Sequence, residues 1–538
     1  MRRLIQVGLL AAFACPSAAQ ISEGCATVLG NAYLRPCLDN ARGIEGQRRA
    51  DLGDGRYLNP ILAGDRPDPS ILKDGDDYWM VHSSFETYPG LTIWHSRDLV
   101  NWTPRVSALK DYIGSVWAPE LTKHAGRYYL YVPAKKPGNN NIYVMSAASI
   151  DGPWTPPVPL GNDRIDPGHI VGEDGKRYLF VSGGGRLKLS DDGMKVEGPL
   201  EKVYEGWQYP PEWDVESYSQ EGPKMMRRGG YFYMTLALGG TAGPPTSHMV
   251  VSARSRSIHG PWENSPYNPI TRTVTAAEKW WSKGHATLVE GPKPGTWYMV
   301  LHGYENGFHT LGRQTLLQPI EWTADGWFKA SNQDIGQPIA KPDGKSERPP
   351  HGLALSDDFK TDRFGLQWSF FAAGANERQR LSHGDGVMAL SAKGKSPADS
   401  SPLSFITGDT AYRFEVDLDI DEAAQGGALL FYNDKLFAGV GINERGIVLY
   451  RYGQEIRTSA KPAGMGMKLR LRVTNQRHVM TIHSSADAGK TWHKFGTQMD
   501  VSGYHHNVAG GFMSLRPALF AAGQGQVRFS RLSYEALP

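Results

Sequence analysis

Three acidic residues stand in similar local sequences along the first half of the chain. Asp68 and Asp166 are each followed by proline, and Glu221 is followed by Gly222 and Pro223. Carboxyl groups in pairs can split a glycosidic bond, because one protonates the leaving oxygen while the other activates water. A single Asp-Pro is more often a turn. Three acidic residues in equivalent places favour catalysis, since buried carboxylates are costly unless function retains them.

A repeat surrounds these residues and predicts how they are positioned. Five runs of aromatic and β-branched residues recur at intervals of about 50 to 66 residues, each after a polar turn that contains glycine. They begin at Tyr78, Tyr128, Tyr178, Tyr231 and Trp297. Units of this length with several short strands are typical of β-propeller blades, so we expect a five-bladed propeller over residues 59–340.

The acidic motifs lie just upstream of these hairpins, as does Gly284-His285-Ala286 in the fifth unit. This is the start of the innermost strand of each blade, close to the central channel. We therefore expect Asp68, Asp166, Glu221 and His285, from four different blades, to converge at one end of the channel. Glu120 belongs to the same series, but it follows its proline and is expected to point elsewhere.

The character of the sequence changes after the repeat. Residues 341–354 are rich in proline and charged residues and are typical of a linker. Beyond them, polar and apolar residues alternate, as at residues 412–419 and 468–473, which indicates half-buried antiparallel strands. We therefore predict an all-β protein whose second domain is a β-sandwich over residues 355–538.

The N-terminus has the order of a secretory signal peptide. Arg2 and Arg3 precede an apolar stretch at residues 4–14, and small residues lead to Ala19. We expect cleavage after Ala19 and a secreted or periplasmic protein, since the apolar run is shorter than the roughly 20 residues that span a membrane. Two remaining cysteines, Cys25 and Cys37, predict one disulfide in an N-terminal extension at residues 20–58.

Composition narrows the class of partner. Lys and Arg together number 58 against 55 for Asp and Glu, so the net charge favours neither nucleic acid nor an anionic membrane surface. The 15 Trp and 24 Tyr suit clefts for neutral ligands that have apolar faces and polar edges, such as sugars. The expected partner is an oligosaccharide or a polysaccharide.

Several blades carry short stretches that together point to one family: Asn59-Pro60-Ile61-Leu62, Arg66-Pro67-Asp68-Pro69-Ser70, Ser96-Arg97-Asp98-Leu99-Val100-Asn101-Trp102, Val116-Trp117-Ala118-Pro119-Glu120, Ile165-Asp166-Pro167, Glu221-Gly222-Pro223, Lys283-Gly284-His285 and Gly312-Arg313-Gln314-Thr315. With them, residues 59–328 resemble glycoside hydrolase family 43, the five-bladed propeller enzymes that include β-xylosidases, α-L-arabinofuranosidases and arabinanases. Residues 355–538 look like the concanavalin-like β-sandwich of the β-xylosidase branch, which would narrow one side of the pocket and favour exo-action.

The resemblance implies roles for the motif residues. Asp68 would be the general base that activates water, and Glu221 the general acid. Asp166 would orient the acid and raise its pKa, and Arg313 would bind a sugar hydroxyl or the side of Asp166. Glu216 is a rival for the acid, but Glu221 is preferred because the Gly-Pro that follows it fits the repeat.

Aromatic residues near these motifs are candidates for substrate binding. Trp117 precedes an axial strand and is expected to be either a sugar-stacking platform or a core tryptophan. Phe85 and Trp207 are further candidates. Trp207 begins a long aromatic loop, residues 207–213, that departs from the shorter family pattern, and Gly168 stands where many relatives have serine. Both departures bear on sugar specificity.

This chemistry requires no cofactor, but the resemblance raises the question of a structural metal ion. His285 matches a histidine that in the family often lies beneath the active site beside calcium, with water filling most of the coordination. A lone histidine is more often a hydrogen-bonded core residue, and calcium prefers oxygen ligands. The sequence leaves both interpretations of His285 open.

These features predict an inverting exo-glycosidase that releases β-D-xylose or α-L-arabinofuranose from xylan, arabinoxylan or arabinan. An endo-arabinanase is the alternative within the same fold: an open groove would favour it, and a closed pocket would exclude it. A non-catalytic carbohydrate-binding propeller is the alternative of another class, although all three axial carboxylates are present. Loops decide which pentose binds, so the sequence leaves that choice open.

Overall fold

The computed structural model describes residues 39–538, and nearly all regular structure in this range is β. The α-helix of this part of the chain is one turn, His506–Ala509. No helix within the described range has the length and apolar character needed to cross a bilayer. The predicted signal peptide and the predicted disulfide between Cys25 and Cys37 lie outside the described residues.

Five antiparallel sheets follow one another along the chain, and we number them blades 1 to 5. Blade 1 contains Ser70–Asp74, Asp77–Val81, Gly90–Ser96 and Thr103–Leu109. Blade 2 contains Glu120–His124, Arg127–Lys135, Asn141–Ala147 and Val158–Pro159, with Ser115–Val116 beside its second strand. Blade 3 contains Gly168–Val171, Arg177–Val181, Gly185–Leu189 and Glu201–Lys202. Blade 4 contains Glu221–Arg228, Tyr231–Leu238, Met249–Ser255 and Glu263–Asn264, with Thr271–Arg272 beside its third strand. Blade 5 contains Trp280–Glu290, Trp297–Glu305, Arg313–Trp322 and Phe328–Ala330.

The first strand of each blade is the innermost one. These five strands contact one another in a ring, which closes when the first strand of blade 5 meets that of blade 1. The aromatic runs of the repeat form the second strand of each blade, where their apolar side chains are buried on both faces. The predicted five-bladed propeller is confirmed.

The N-terminal segment of the propeller helps to close the ring. Asn59 bridges to blade 5, because its side chain donates to the carbonyl of Leu317 and accepts from the N–H of the same residue. A two-stranded sheet pairs Arg56–Tyr57 with Ile339–Ala340. Segments from both ends of the propeller are thus held against the last blade.

Two further sheets form the C-terminal domain. From edge to edge, the first contains Gln454–Ser459, Gly446–Arg451, Leu436–Asn443, Ala424–Asn433, Arg516–Gly523, Leu403–Ser404, Ser369–Phe371 and Thr87–Tyr88. The second contains Leu381–Gly384, Val387–Ser391, Gln526–Ala536, Ala411–Ile420, Lys468–Gln476, Val479–Ser485 and His493–Lys494, with Met499–Asp500 also beside Val479–Ser485. Alternate residues of Ala411–Ile420 are buried between the sheets, as the sequence pattern predicts. The all-β fold with a C-terminal sandwich is confirmed.

Short elements complete the described chain. A two-stranded hairpin pairs Ala41–Arg42 with Arg48–Arg49. Four short 3-10 segments are Ile44–Gly46, Ser182–Gly184, His309–Leu311 and Glu377–Arg380. Residues 341–354 contain no strand or helix. Lys341, at the start of this stretch, is nonetheless fully buried, and its Nζ lies 2.8 Å from Oδ2 of Asp51.

The two domains share structure as well as a connecting segment. Thr87–Tyr88, from a loop of blade 1, pairs with Ser369–Phe371 and becomes the edge strand of a sandwich sheet. A buried ion pair joins Asp65 of the propeller to Arg516 of the sandwich, with 2.7 Å between Oδ2 and Nη2. The sandwich therefore packs directly beside the segment that leads into Asp68.

Candidate active site

One pocket collects the acidic residues at an end of the propeller channel. It has a volume of about 210 Å³ and is lined by Asp68, Asp166, Glu221 and His285, the four residues expected to converge from four blades. Blade 2 contributes Trp117, so all five blades reach the pocket. The pocket is smaller than the roughly 300–1,000 Å³ of sites for drug-sized ligands, and this favours a small ligand.

Unusual backbone conformations aim three of these side chains at the axis. Asp68, Asp166 and His285 have φ values of 56°, 58° and 54°, in the left-handed region that residues with a side chain rarely adopt. Asp68 and Asp166 occupy equivalent places before the first strands of blades 1 and 3. Such strain persists where the surrounding structure enforces it, and it concentrates at functional sites.

Asp68 is held as an anion. Two nitrogens of the Arg313 guanidinium donate hydrogen bonds to the Asp68 carboxylate, and Nη1 lies 2.9 Å from Oδ1. The hydroxyl of Ser83 donates to Oδ2. Burial alone would raise the pKa of Asp68, but Arg313, His285 and His302 hold it well below its usual range. Burial also lowers the pKa of both histidines, that of His302 to about 4, so the lasting positive charge beside Asp68 is Arg313.

The pKa values of Asp166 and Glu221 are raised, in contrast to the lowered pKa of Asp68. Burial and the charge of Asp68 raise the pKa of Asp166 to about 7. Burial, followed by the charges of Asp166 and Asp68, raises the pKa of Glu221 well above its usual value. The N–H of Gly222 donates to Oδ2 of Asp166 over 3.0 Å, which ties the two motifs together. The environment of the pocket thus favours an ionised Asp68 and a protonated Glu221.

Lys135 is a cation at this site that the sequence motifs did not single out. It ends the second strand of blade 2, and its Nζ lies 3.5 Å from the centre of the Trp117 ring. Burial lowers the pKa of Lys135, while Asp166 and Glu221 oppose that change. Lys135 therefore places a positive charge near Asp166 and Glu221.

A buried ion pair lies beneath the pocket and joins the blades. Nζ of Lys224 lies 2.7 Å from Oε2 of Glu120, and it also donates to the carbonyls of Pro119 and Pro167. Glu120 accepts a hydrogen bond from Ser70 as well. Glu120 thus points away from the pocket, as its place after proline predicts, and its contacts support the ends of four inner strands.

Aromatic side chains wall the pocket. Trp117 and Phe85 both line it, so these two candidates for substrate binding are brought to the site. Phe512, from the sandwich domain, stacks on Phe85 with 5.7 Å between ring centres and meets Trp117 edge-on at 5.0 Å. Trp117 is therefore packed on one side and covered by Lys135, which restricts the ring area that a sugar can reach.

Trp207, the third aromatic candidate for substrate binding, is not brought to the pocket by the structure. Trp207 does not line the pocket. It packs instead with Trp213 and other apolar residues on the outer cluster of blades 3 and 4, and its carbonyl accepts from Tyr218. The aromatic loop folds on itself because its own rings offer a better apolar surface than the polar mouth of the pocket.

Glu216 lines the same pocket but in a different environment from Glu221. It is exposed, and its carboxylate accepts a hydrogen bond of 2.8 Å from the N–H of Ala242. Glu216 is therefore suited to contact a ligand, and Glu221 is the carboxyl group in the proton-retaining environment.

The close approach of two neighbouring strands explains why residue 168 is a glycine. A Cβ placed there would lie 1.9 Å from the carbonyl oxygen of Pro223, so the first strands of blades 3 and 4 approach too closely for any side chain. Glycine at this position is thus explained by the close contact between two blades.

The residues around His285 do not fit a calcium ion held by protein side chains. Within residues 39–538, no group of three or more His, Cys, Asp or Glu side chains is arranged to hold a metal ion. Nε2 of His285 is buried without a hydrogen-bond partner in that range, while Nδ1 lies 3.4 Å from Oδ1 of Asp68. One nitrogen is a poor match for calcium, which prefers oxygen. We assign no step of the chemistry to a metal ion here.

Two residues of the pocket come from the sandwich domain, and sequence reasoning did not identify either of them. His506 and Phe512 lie almost 200 residues beyond Arg313 in the sequence, yet both line the pocket beside it. No local motif identifies these two residues. The sequence analysis expected only that the sandwich domain would narrow one side of the pocket. The pocket is thus completed by both domains.

A small pocket at the end of a propeller channel, with one carboxyl group favoured as the anion and another as the acid, is the acid–base arrangement of a glycoside hydrolase. Residues 57–328 match the sequence profile of glycosyl hydrolases family 43, and residues 356–535 match that of the beta xylosidase C-terminal concanavalin A-like domain. The chain belongs to glycosyl hydrolases family 43, whose enzymes act with inversion.

Similar proteins include enzymes with two different names. A relative from Bacteroides ovatus, named non-reducing end alpha-L-arabinofuranosidase BoGH43B, is 30% identical over 522 residues, which cover 89% of this chain and 94% of that protein. A xylan 1,3-beta-xylosidase from a Vibrio species is 36% identical over 320 residues, covering 51% of this chain and 57% of that protein. The solved structure of the GH43 protein BlXynB from Bacillus licheniformis has a TM-score of 0.79 at 27% identity, covering 90% of this chain and 100% of that one.

Proposed function

We propose that this protein is an exo-acting glycoside hydrolase that removes a terminal pentose, β-D-xylose or α-L-arabinofuranose, from xylan, arabinoxylan or arabinan. The observation that carries the proposal is the convergence of Asp68, Asp166 and Glu221 from three blades on one small pocket, in which Arg313 pairs with Asp68. The fold brings a base and an acid to the same small cavity, and the family is one of inverting hydrolases.

In the proposed reaction Asp68 accepts a proton from water, and that water attacks the anomeric carbon from the face opposite the leaving group. Glu221 donates its proton to the glycosidic oxygen as the bond breaks. One water is consumed, and the pentose is released with inverted configuration. Asp68 is left protonated and Glu221 ionised, so a proton returns through solvent before the next cycle.

Two residues support this exchange without taking part in bond cleavage. The charge of Asp166 helps to keep Glu221 protonated, and Asp166 is linked to the Glu221 motif through the N–H of Gly222. Arg313 keeps Asp68 ionised and occupies one lone pair of each carboxylate oxygen, and Ser83 occupies the second of Oδ2. The proton of the attacking water then goes to Oδ1. The role of Asp166 is the one that the resemblance implies. Arg313 was expected on a sugar hydroxyl or on the side of Asp166, and it lies against Asp68 instead.

Exo-action is supported by the shape of the pocket. Phe85, Trp117 and Phe512 wall a cavity of about 210 Å³, which has room for one sugar unit rather than a continuous chain. An endo-arabinanase needs a groove that is open at both ends. The wall contributed by Phe512 closes one side, and this supports the exo proposal over the endo alternative.

The chain end that fits this pocket is a neutral pentose presented by a plant polysaccharide. The names of the similar proteins cover both arabinofuranose and xylose, so both sugars belong in the proposal. Action on extracellular polysaccharide accords with the signal-peptide pattern at residues 1–19, and we propose a secreted or periplasmic enzyme on that basis.

Initial rates on aryl β-D-xylopyranoside and aryl α-L-arabinofuranoside test the proposal. We expect turnover of at least one, its loss in Asp68→Asn for every leaving group, and in Glu216→Gln only a modest loss that does not depend on the leaving group. Glu221→Gln should lose turnover of poor leaving groups by at least about 100-fold, because proton transfer contributes about 10²–10⁴-fold, while activated leaving groups should depart without help. Turnover of neither glycoside alongside cleavage of linear arabinan would overturn the exo assignment.

A further inference from the structure

His506 places an imidazole from the sandwich domain at the wall of the pocket. It is the first residue of the single-turn helix His506–Ala509 and lines the same cavity as Asp68 and Glu221. Its ring stacks on Phe512 with 4.5 Å between ring centres and 20° between ring planes. The ring is therefore fixed in position by a neighbour that also lines the pocket.

The hydrogen bonds of His506 define which nitrogen is free. Nδ1 lies against the carbonyl oxygen of Gly511, and a carbonyl only accepts, so Nδ1 carries the proton. Nε2 of a neutral ring is then an acceptor, and this atom is buried without a hydrogen-bond partner among residues 39–538. Burial lowers the pKa of His506, which keeps the ring neutral at neutral pH.

The charged groups nearest to His506 leave this acceptor without a donor. Arg313 is close enough to influence the ring, but its guanidinium is engaged by Asp68. Glu216 is the other charged group near the ring, and its carboxylate accepts a hydrogen bond from the N–H of Ala242. A buried acceptor that stays unpaired is costly, so a donor from outside the protein is the natural partner.

We propose that Nε2 of His506 accepts a hydrogen bond from a hydroxyl of the sugar in the pocket, which makes the sandwich domain part of substrate recognition. The inference rests on the proposed function and deepens it. Asp68 and Glu221 act at the anomeric carbon, whereas His506 accepts a hydrogen bond from a hydroxyl at another position of the same sugar ring. A site built to pair with a hydroxyl rejects an analogue that lacks it, because the acceptor is then left unpaired.

His506→Phe tests this role, because phenylalanine keeps an aromatic ring against Phe512 but has no acceptor. The probes are the aryl pentoside that the wild type cleaves and the analogues of it that each lack one hydroxyl. We expect His506→Phe to lower kcat/KM about tenfold on the parent glycoside. On the analogue that lacks the recognised hydroxyl, the variant and the wild type should agree within about twofold, since the same interaction is already missing.

His505→Asn is the matched control. His505 is the neighbouring histidine and caps the same short helix, but it packs on His309 and does not line the pocket; asparagine preserves the cap. Its kcat/KM should stay within about twofold of wild type. His506→Gln retains an acceptor and should recover part of the loss, which also guards against misfolding of the phenylalanine variant.

Equal kcat/KM of His506→Phe and wild type on the parent would overturn the inference. The same loss on the parent and on every deoxy analogue would also overturn it, since a general disturbance of the pocket then explains the effect. These results leave the proposed function intact, because they presuppose turnover by the wild type. If the wild type cleaves no pentoside, the proposed function fails first and this inference falls with it.

Discussion

Arg313 and Asp68 form a buried, two-point ion pair across the seam of the propeller. Arg313 begins the third strand of blade 5 and Asp68 precedes the first strand of blade 1, and the distances are 2.9 Å for Nη1–Oδ1 and 3.3 Å for Nη2–Oδ2. The last and first blades thus meet at the residue that we propose as the base. This one ion pair joins the last blade to the first and also keeps the proposed base ionised.

Replacement of Arg313 by methionine should move the acid limb of the pH profile to higher pH. Burial raises the pKa of Asp68 and Arg313 lowers it, so removing the guanidinium raises this pKa, by about 1–3 units for a close ion pair. The base then becomes protonated at a higher pH, and kcat/KM should fall on the acidic side where the wild type is still active. Profiles of kcat/KM against pH for both proteins measure this. An acid limb that does not move would mean that Arg313 does not control Asp68.

Asp166→Asn and Lys135→Met should move the alkaline limb in opposite directions. This limb reports loss of the proton from the acid, Glu221. The negative charge of Asp166 raises the pKa of Glu221, so Asp166→Asn should shift the limb to lower pH. The positive charge of Lys135 lowers the same pKa, so Lys135→Met should shift it to higher pH. Both variants are compared by pH–rate profiles on one aryl glycoside, and shifts of the same sign would contradict the assignment of Glu221 as the acid.

Disruption of the ion pair between Asp65 and Arg516 should destabilise the junction of the domains. Both side chains are almost completely buried, and the N–H of Ser514 also donates to Asp65 over 3.1 Å. Arg516→Met or Asp65→Asn leaves a buried group without its partner and should cost about 3–5 kcal/mol, with a large fall in Tm and in activity. The double variant should cost clearly less than the sum of the single ones.

Thermal unfolding followed by near-UV circular dichroism, with activity before and after heating, measures these effects. Lys176→Ala is the control, because it breaks an exposed ion pair with Asp191 and should leave Tm unchanged. Strictly additive losses in the double variant would show that the two side chains stabilise the protein independently of each other.

Gly168→Ser should destabilise the propeller even though serine is a small residue. The new Cβ would have to displace the backbone of Pro223, and overpacking of this kind costs about 1–3 kcal/mol or more. Because Glu221 lies two residues before Pro223, kcat should fall along with the denaturation midpoint. Gly384→Ser is the matched control, since a Cβ at Gly384 meets no atom within 4 Å. Unchanged stability of Gly168→Ser would show that the two strands can separate at no cost.

The sequence by itself determined the fold class and the acidic centre. The aromatic runs repeat at blade length, and the same motif position in each repeat must lie at the same place in each blade. Asp68, Asp166, Glu221 and His285 could therefore be assigned to one end of the channel without knowledge of any contact. The propeller's rotational symmetry turns a spacing along the chain into a position in space.

Only the tertiary structure decided which other residues complete the pocket. Trp207 is close in sequence to Glu221 yet packs elsewhere, whereas His506 and Phe512 are distant in sequence and line the cavity. Local patterns carry no record of how a second domain docks, because docking depends on the complementarity of whole surfaces. The protonation states follow the same rule: Asp68 and Asp166 share an Asp-Pro motif, but Arg313 lies against one and not the other, so burial and neighbouring charge set their pKa values apart.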